Sequence, residues 1–168
     1  RPRPDPPGCP GTDAGTPGIS DPGVELVDAA LNAGFPVRSV PGASSLTAAV
    51  SVSGMLDGSS TFLGFLPRKG KERSLALARY GASGAGLVLY ESANRLVATL
   101  GDLHDVLGSR RNAVVRELSK IHEEIVRGDL GNPADIDRHE SARGEVVIVI
   151  APGEASESVE DPLDVLRG

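Results

Sequence analysis

The chain has 168 residues, 39% of them hydrophobic, and a formal net charge of -6 at pH 7; this predicts one ordinary globular domain or two small ones and argues against indiscriminate binding to polyanions. Its single cysteine, Cys9, excludes an intrachain disulfide and a CxxC metal pattern, so a reducing, cytoplasmic compartment is expected. No apolar run reaches the roughly 18 residues of a membrane span and no signal-peptide pattern opens the chain, so neither a membrane span nor export is expected.

The first elements are predicted from prolines, glycines and short apolar stretches. Residues 1–12 hold five prolines, which predicts a disordered leader. A helix capped by Asp21 and ending near Gly34 follows, then a buried strand over 35–40 and a second helix over 44–52. Because one strand between two helices cannot form a covered sheet, residues 13–60 are predicted to be an incomplete first α/β domain.

The next elements predict a second α/β domain over residues 61–152. Its apolar strands are predicted over 61–65, 86–91, 112–118 and 145–150, with a strand or turn over 123–128. Its helices are predicted over 70–80, 92–107 and 132–138. Continuous apolar strands that alternate with amphipathic helices are typical of an α/β sheet covered on both faces. An acidic tail over 153–168 carries most of the net negative charge.

Two glycine-rich or small-residue loops precede the first two helices. They read "DAGTPGISDPG" (13–23) and "VPGASSL" (40–46). Such loops at helix starts allow main-chain amides to approach a ligand, and at successive strand ends they would lie side by side on the carboxyl edge of a parallel sheet. The interpretation is therefore a cofactor site. The alternatives are a long surface turn for the first loop and helix capping by Ser44 or Ser45 for the second.

A basic cluster, "PRKGKER" (67–73), precedes the helix predicted over 70–80. Its cations are suited to sequence-independent phosphate contacts, although an ordinary basic helix start is an equal alternative. Phe62 and Phe65, in the apolar strand before it, are predicted to be core. The segment does not fit the pattern of a nucleotide-triphosphate loop, because five residues separate Gly64 from Gly70 and Glu72 stands where a magnesium-binding Ser or Thr is needed.

Two later motifs combine strand ends with charged side chains. "YESANRL" (90–96) is interpreted as a pocket at the carboxyl end of a strand, or as a strand end and helix cap with an i,i+4 pair of Glu91 and Arg95. "RELSKIHEE" (116–124) is by itself typical of a solvated charged stretch after a strand. His122 in this stretch could serve as a base at neutral pH, but a lone histidine is more often an ordinary surface residue.

A resemblance to a known family rests on five motifs in this order: "DAGTPGISDPG", "VPGASS", "FLGFLPRKGKER", "YESANRL" and "RELSKIHEE". Together they closely resemble the ribosomal RNA small subunit methyltransferase I family, within the tetrapyrrole (corrin/porphyrin) methylase superfamily. The resemblance runs from Asp13 to about Ile150. It implies a homodimer with two α/β domains and S-adenosylmethionine between them. It also implies methyl transfer to the ribose 2'-hydroxyl of a decoding-centre cytidine in 16S rRNA.

The resemblance also implies roles for individual residues. The cofactor-binding residues it implies are Gly15, Thr16, Pro17, Ile19, Ser44, Ser45, Tyr90, Glu91 and Ser92. Glu117 and Lys120 are the implied catalytic residues of the pocket. The RNA-binding residues are the cations of the basic cluster, Arg68, Lys69, Lys71 and Arg73. The sulfonium of the cofactor already activates the methyl group, so no metal is required.

The sequence departs from the family at its beginning. Members open with a strand, a "TPIGNLGD"-like loop and a segment containing "AEDTR", whereas a proline-rich stretch stands before Asp13 here. A fragment, a wrong start codon or an upstream frameshift is therefore expected. Two alternatives stay open. One is another methylase of the superfamily, acting on a tetrapyrrole or a protein side chain; the other is a catalytically incompetent truncated fragment that binds RNA weakly.

Overall fold

The computed structural model describes residues 18–81, 84–137 and 144–154. The chain divides into two compact units between Ser44 and Ser45, whereas the sequence predicts a domain boundary after residue 60. The predicted leader over 1–12 lies outside the described residues, and so does the acidic tail from residue 155 onward.

The first unit contains one described helix, α1 (Val24–Asn32). The predicted cap at Asp21 is wrong: the carbonyl of Asp21 closes a turn with the amide of Gly18 at 3.1 Å, and the helix begins after Gly23. Gly23 has a φ of 138°, which a residue with a side chain rarely adopts. No residue of α1 is buried in the described structure.

The strand predicted over 35–40 is also wrong. These residues form no strand, and Val40 is 90% exposed. An extended apolar segment becomes a strand only when a neighbour satisfies its amides and carbonyls, and the first unit has no strand in its described residues, 18–44.

The second unit confirms every helix and strand predicted in it. Its helices are α2 (Ser45–Ser53), α3 (Lys71–Gly81), α4 (Ala93–Leu107) and α5 (Pro133–Asp137). Its strands are β1 (Ser60–Phe65), β2 (Gly86–Ser92), β3 (Arg111–Arg116), β4 (Glu124–Asp129) and β5 (Glu145–Ile150). The segment over 123–128, predicted to be a strand or a turn, is strand β4. The strand predicted over 112–118 ends earlier, at Arg116, because a tight turn follows it.

The five strands form one mixed sheet in the order β1-β2-β5-β3-β4. β1 and β2 pair in parallel, whereas β5 is antiparallel to both of its neighbours, β2 and β3. Strands β1, β2 and β3 therefore run in the same direction and end at the same edge of the sheet. Val146 of β5 pairs with Glu91 on one side and with Arg116 on the other, so the ends of β2 and β3 are level.

Helices cover both faces of this sheet, as predicted for the α/β class. Along β2, Leu87 and Leu89 belong to a core with residues of α3 and α4, whereas Val88 points to the opposite face, towards Ala49 of α2. The α4 side chains of that first core are Leu96, Leu100 and Leu103, at helical spacing. Burial of each such leucine contributes about 1.5–3 kcal/mol to the stability of the folded state. The two cores therefore hold the strands, and with them the strand ends, in place.

Candidate functional site

Three of the sequence motifs follow strands β1, β2 and β3 and lie at one edge of the sheet. We call this region the carboxyl edge and define it by residues 65–71, 90–92 and 117–123. Two strand spacings separate the ends of β2 and β3, or about 10 Å. The topology thus brings together residues that the sequence assigns to RNA binding, cofactor binding and catalysis.

A hydrogen bond joins two of the predicted cofactor loops. The hydroxyl groups of Ser45, the first residue of α2, and Tyr90, near the end of β2, lie 3.0 Å apart. The Tyr90 ring also contacts Phe62 edge-on, with ring centroids 5.0 Å apart. Tyr90 is therefore held from two sides, and this part of the edge offers uncharged hydroxyl and aromatic groups.

Glu91 is buried, and its contacts point into the protein. Its Oε1 accepts hydrogen bonds from the amide of Ser92 at 2.8 Å and the Ser92 hydroxyl at 3.4 Å. Its Oε2 accepts one from the Thr99 hydroxyl at 2.8 Å and pairs with Arg95 at 3.3 Å. The side chain is 1% exposed. The described partners of Glu91 thus make it a support for Ser92 and the start of α4.

Arg73 is buried as well, although the sequence predicts that it contacts RNA. Its Nε donates to Asp102 at 2.7 Å, its Nη1 to the carbonyl of Pro67 at 3.1 Å and its Nη2 to Thr99 at 2.9 Å. Arg95 donates to the same carbonyl at 3.3 Å. The guanidinium of Arg73 therefore anchors residues 67–71, which we call the basic loop, and does not face an external phosphate.

These side chains form one connected polar network, in which Arg73, Glu91 and Thr99 are buried and Arg95 and Asp102 are partly exposed. Sequence reasoning missed Thr99 and Asp102. A usable signal was present for Thr99, because it lies three residues after Leu96 on the apolar stripe of α4, where a hydroxyl needs a buried partner.

The other three predicted RNA-binding cations have a different environment. Arg68, Lys69 and Lys71 are all exposed. Since the carbonyl of Pro67 is held by Arg73 and Arg95, the segment that carries these cations, up to Lys71 at the start of α3, has a fixed backbone anchor. The carboxyl edge thus presents three positive charges on one short segment.

The predicted catalytic pair lies in the turn that follows β3. Lys120 Nζ is 3.1 Å from Glu117 Oε1, and the two side chains are 66% and 30% exposed. Glu117 and Ser119 have φ angles of 51° and 62°, and non-glycine residues in this region are often found at functional sites.

The same turn lies close to the start of α4. A methyl group added at Gly144 would lie 3.5 Å from Glu117 Oε1, and the Gly144 carbonyl accepts a hydrogen bond from the amide of Ala93 at 2.8 Å. Glu117 therefore lies near Gly144, whose carbonyl is bonded to the segment that follows Ser92.

Several predicted residues belong to the first unit or lie outside the described residues. Gly15, Thr16 and Pro17 lie outside the described residues. Ile19 and Ser44 belong to the first unit, where Ile19 is 37% exposed. In the described ranges, no cluster of three or more His, Cys, Asp or Glu side chains is arranged as metal ligands would be. No helix in those ranges combines the length and apolar character needed to cross a membrane.

A cavity of about 480 Å³ lies at the opposite edge of the sheet and includes Arg110 and Asp129 in its lining. Burial lowers the pKa of Arg110, whose Nη1 has no hydrogen-bond partner within the described structure. Hydrogen bonds from the Ser109 hydroxyl, at 2.6 Å, and the Gly131 amide, at 2.7 Å, lower the pKa of the Asp129 carboxyl. No residue that the sequence assigns to function lies in this cavity.

Residues 12–134 match the family of Tetrapyrrole (Corrin/Porphyrin) Methylases, and the chain belongs to that family. The curated relatives include ribosomal RNA small subunit methyltransferase I from Halalkalibacterium halodurans, which is 41% identical over 139 residues. The protein of the same name from Mycobacterium tuberculosis is 44% identical over 141 residues. These matches cover 83% of this chain but 48% and 49% of the relatives, so the chain spans about half their length.

The comparison with solved structures agrees with the fold. Uroporphyrin-III C-methyl transferase from Thermus thermophilus, solved in complex with S-adenyl homocysteine, aligns with a TM-score of 0.57 and 22% identity. The alignment covers 82% of this chain and 62% of that one. The predicted tetrapyrrole-methylase-like fold and the resemblance to ribosomal RNA small subunit methyltransferase I are thus confirmed.

Proposed function

We propose that this chain takes part in S-adenosylmethionine-dependent methylation of the ribose 2'-hydroxyl of a decoding-centre cytidine in 16S rRNA. The observation that carries the proposal is the meeting of three groups at the carboxyl edge: the Ser45–Tyr90 hydroxyl pair, the Glu117–Lys120 ion pair and the exposed basic loop. The similarity to ribosomal RNA small subunit methyltransferase I supports ribosomal RNA as the substrate class.

The residues at the edge fit S-adenosylmethionine as the cofactor. Ser45, Tyr90 and Ser92 offer hydroxyl groups suited to the polar atoms of a nucleoside, and the ring of Tyr90 offers an aromatic face. Glu91 contributes indirectly, because its carboxylate holds the amide and hydroxyl of Ser92. Gly15, Thr16, Pro17, Ile19 and Ser44 complete the proposed cofactor-binding set. When bound, S-adenosylmethionine supplies a methyl group that its sulfonium makes electrophilic.

Glu117 and Lys120 are proposed to act on the ribose hydroxyl. A carboxylate within hydrogen-bond reach of that hydroxyl can accept its proton, and this is what a positioned base contributes. Lys120, whose Nζ is 3.1 Å from Glu117 Oε1, orients the carboxylate. The protein's remaining task is alignment, since holding the oxygen in a near-attack geometry lowers the barrier to transfer.

The proposed RNA contacts divide into two kinds. Arg68, Lys69 and Lys71 bind phosphates of the small-subunit rRNA, a sequence-independent contribution. Arg73 serves the same surface as its internal anchor. A homodimer in the cytoplasm completes the proposal, in keeping with the resemblance.

Two measurements on the chain test this function. Calorimetric titration with S-adenosylmethionine tests the cofactor site, and primer extension on 30S subunits at limiting deoxynucleotide detects a 2'-O-methyl group. We expect saturable cofactor binding and a new extension stop that needs the cofactor. Cofactor binding without the stop rejects rRNA methylation by this chain. In that case, methyl transfer to a tetrapyrrole such as uroporphyrinogen would favour the other branch of the family.

A further inference from the structure

We propose that the exposed ring of Phe65, which is held against Tyr90 and is followed in the chain by three exposed cations, is a stacking platform for an unpaired base of the RNA substrate. This inference rests on the proposed function and adds to it a preference for single-stranded RNA. The sequence predicts Phe65 to be core, and this is wrong, because the residue is 43% exposed.

A β-bulge places Phe65 at this position. Phe62 pairs with Val88 and Phe65 pairs with Tyr90, so β1 advances three residues while β2 advances two. Residues three apart in a regular strand point to opposite faces, but the extra residue returns Phe65 to the face of Phe62. Gly64 allows this path because its φ is 62°, in the left-handed region.

The ring of Phe65 is held in place from behind. Its centroid lies 5.6 Å from that of Tyr90, with the ring planes tilted by 54°. Tyr90 is fixed in turn by Phe62 and by the hydroxyl of Ser45. An aromatic ring that is already positioned loses little conformational freedom when a second ring stacks on it.

Three exposed cations that follow Phe65 closely in the sequence favour a nucleic acid as the partner. Arg68, Lys69 and Lys71 follow it within the next six residues, and all three are exposed. A groove or patch that combines cations for the backbone with an aromatic ring for bases is the usual surface for single-stranded RNA. Bases in a duplex already stack on each other, so they cannot use the ring.

The position of Phe65 relates this contact to the proposed reaction. β1 and β2 are parallel neighbours, so Phe65 and the Tyr90–Ser92 segment lie at the ends of adjacent strands. A base stacked on Phe65 would hold its own ribose, or that of a neighbouring nucleotide, near the proposed cofactor residues. We therefore expect this surface to bind single-stranded RNA more tightly than a duplex.

The test compares Phe65→Leu and Phe65→Trp with the unchanged chain. Binding is measured by fluorescence anisotropy on a single-stranded RNA and a duplex of equal length, and stacking by quenching of 2-aminopurine in the single strand. We expect Phe65→Leu to weaken single-strand binding about tenfold and to abolish the quenching. Duplex binding should stay unchanged, and Phe65→Trp should retain both signals. Leu75→Ala removes an exposed apolar side chain of α3 (58% exposed) as the matched control.

The outcomes separate this inference from the proposed function. Unchanged single-strand binding by Phe65→Leu, or an equal loss on the duplex, overturns the stacking platform even if methylation proceeds. A loss that appears together with a shift in sedimentation instead assigns Phe65 to contact with a second copy and also overturns it. If Phe65-dependent stacking is seen but no methylation of 30S subunits occurs, the inference holds and the proposed reaction fails. An unchanged chain without any RNA binding rejects both.

Discussion

The Thr99 hydroxyl donates a 2.8 Å hydrogen bond to Oε2 of Glu91, and both side chains are almost completely buried. Thr99 also accepts a hydrogen bond from Arg73, so one hydroxyl connects the end of β2 with the first turn of α3. A buried polar network is favourable only while each of its members is satisfied. Changes inside this network should therefore affect both stability and the shape of the carboxyl edge.

Thr99→Val keeps the volume of the side chain and removes the bridging hydroxyl. Glu91 and Arg73 then each lose a buried partner, and we expect the free energy of unfolding to fall by about 1–3 kcal/mol. Urea denaturation followed by circular dichroism measures this change. Ser51→Ala, which removes an exposed hydroxyl bonded to the Ala48 carbonyl, is the control and should cost less than about 0.5 kcal/mol. Equal effects of the two variants would contradict the role given to Thr99.

Ser45→Ala and Tyr90→Phe remove the two hydroxyls that face each other across 3.0 Å. If both belong to the cofactor site, each variant should weaken S-adenosylmethionine binding several-fold, while unfolding free energy falls by only about 0.5–1.5 kcal/mol. Calorimetry on both single variants and the double variant gives their coupling. Strictly additive losses would show that the hydrogen bond does not contribute to the binding site. Ser51→Ala again serves as the hydroxyl control.

Replacing Arg68, Lys69 and Lys71 with alanine removes the exposed charges of the basic loop. We expect RNA affinity to fall on single strands and duplexes alike, and the slope of log affinity against log salt to decrease by about 1 for each phosphate that the loop no longer binds. Filter binding at a series of KCl concentrations measures the slope. Arg79→Ala, at an exposed position near the other end of α3, should leave it unchanged. If the slope of log affinity against log salt is unchanged in the triple variant, the RNA does not bind at the basic loop.

Glu117→Gln and Lys120→Met test the proposed catalytic pair. Loss of a positioned base typically lowers the rate by about 10²–10⁴-fold, so we expect kcat for Glu117→Gln to fall in that range while RNA affinity is kept. Lys120→Met should have a smaller effect, because Lys120 orients Glu117. Asp105→Asn, an exposed carboxylate on α4, is the matched control. A methylation rate in Glu117→Gln equal to that of the control would show that Glu117 is not the base in the reaction.

The carboxyl of Asp129 gives the second unit a predictable response to acid. Its pKa is lowered chiefly by the hydrogen bond from Ser109, then by the Gly131 amide and the charge of His104, while burial opposes them. Because the folded state favours the ionised form, the stabilisation is present above the unfolded pKa and is lost as pH falls through the folded pKa.

We therefore expect stability to fall as the pH decreases below about 5, through the unfolded-state pKa of an aspartate and then through the lower folded-state pKa. Ser109→Ala, which removes the largest cause of the shift, should reduce that drop. Urea midpoints measured across this range provide the comparison, with Ser51→Ala as the control. A drop of the same size in Ser109→Ala would contradict the assignment.

The sequence predicts the second unit well because strong local patterns and tertiary packing agree there. Leu96, Leu100 and Leu103 mark one face of α4, and the same face packs in the core. Residues 35–40 have the composition of a strand, but strand formation depends on a neighbour, which a local pattern cannot supply.

The candidate site could be predicted only in part. The sequence correctly predicts the strands β1, β2 and β3 that three of the motifs follow, but the contacts of several side chains depend on residues distant in the sequence. Arg73 is buried because it bonds Asp102 and Thr99 on α4 as well as the Pro67 carbonyl, and no spacing within "PRKGKER" reveals the two partners on α4. Phe65 is exposed because a bulge shifts the alternation of β1, and the sequence suggests this only through Gly64.

Strand β5 comes last along the described sheet yet occupies its middle position. The two pairs β1–β2 and β3–β4 are made from earlier segments, and β5 joins them by pairing with β2 and with β3. During synthesis, each pair can form as soon as it emerges, but the complete sheet must wait for residues 145–150. A nascent chain held before that point should carry two open apolar strand edges, the state in which newly made proteins most need protection from aggregation.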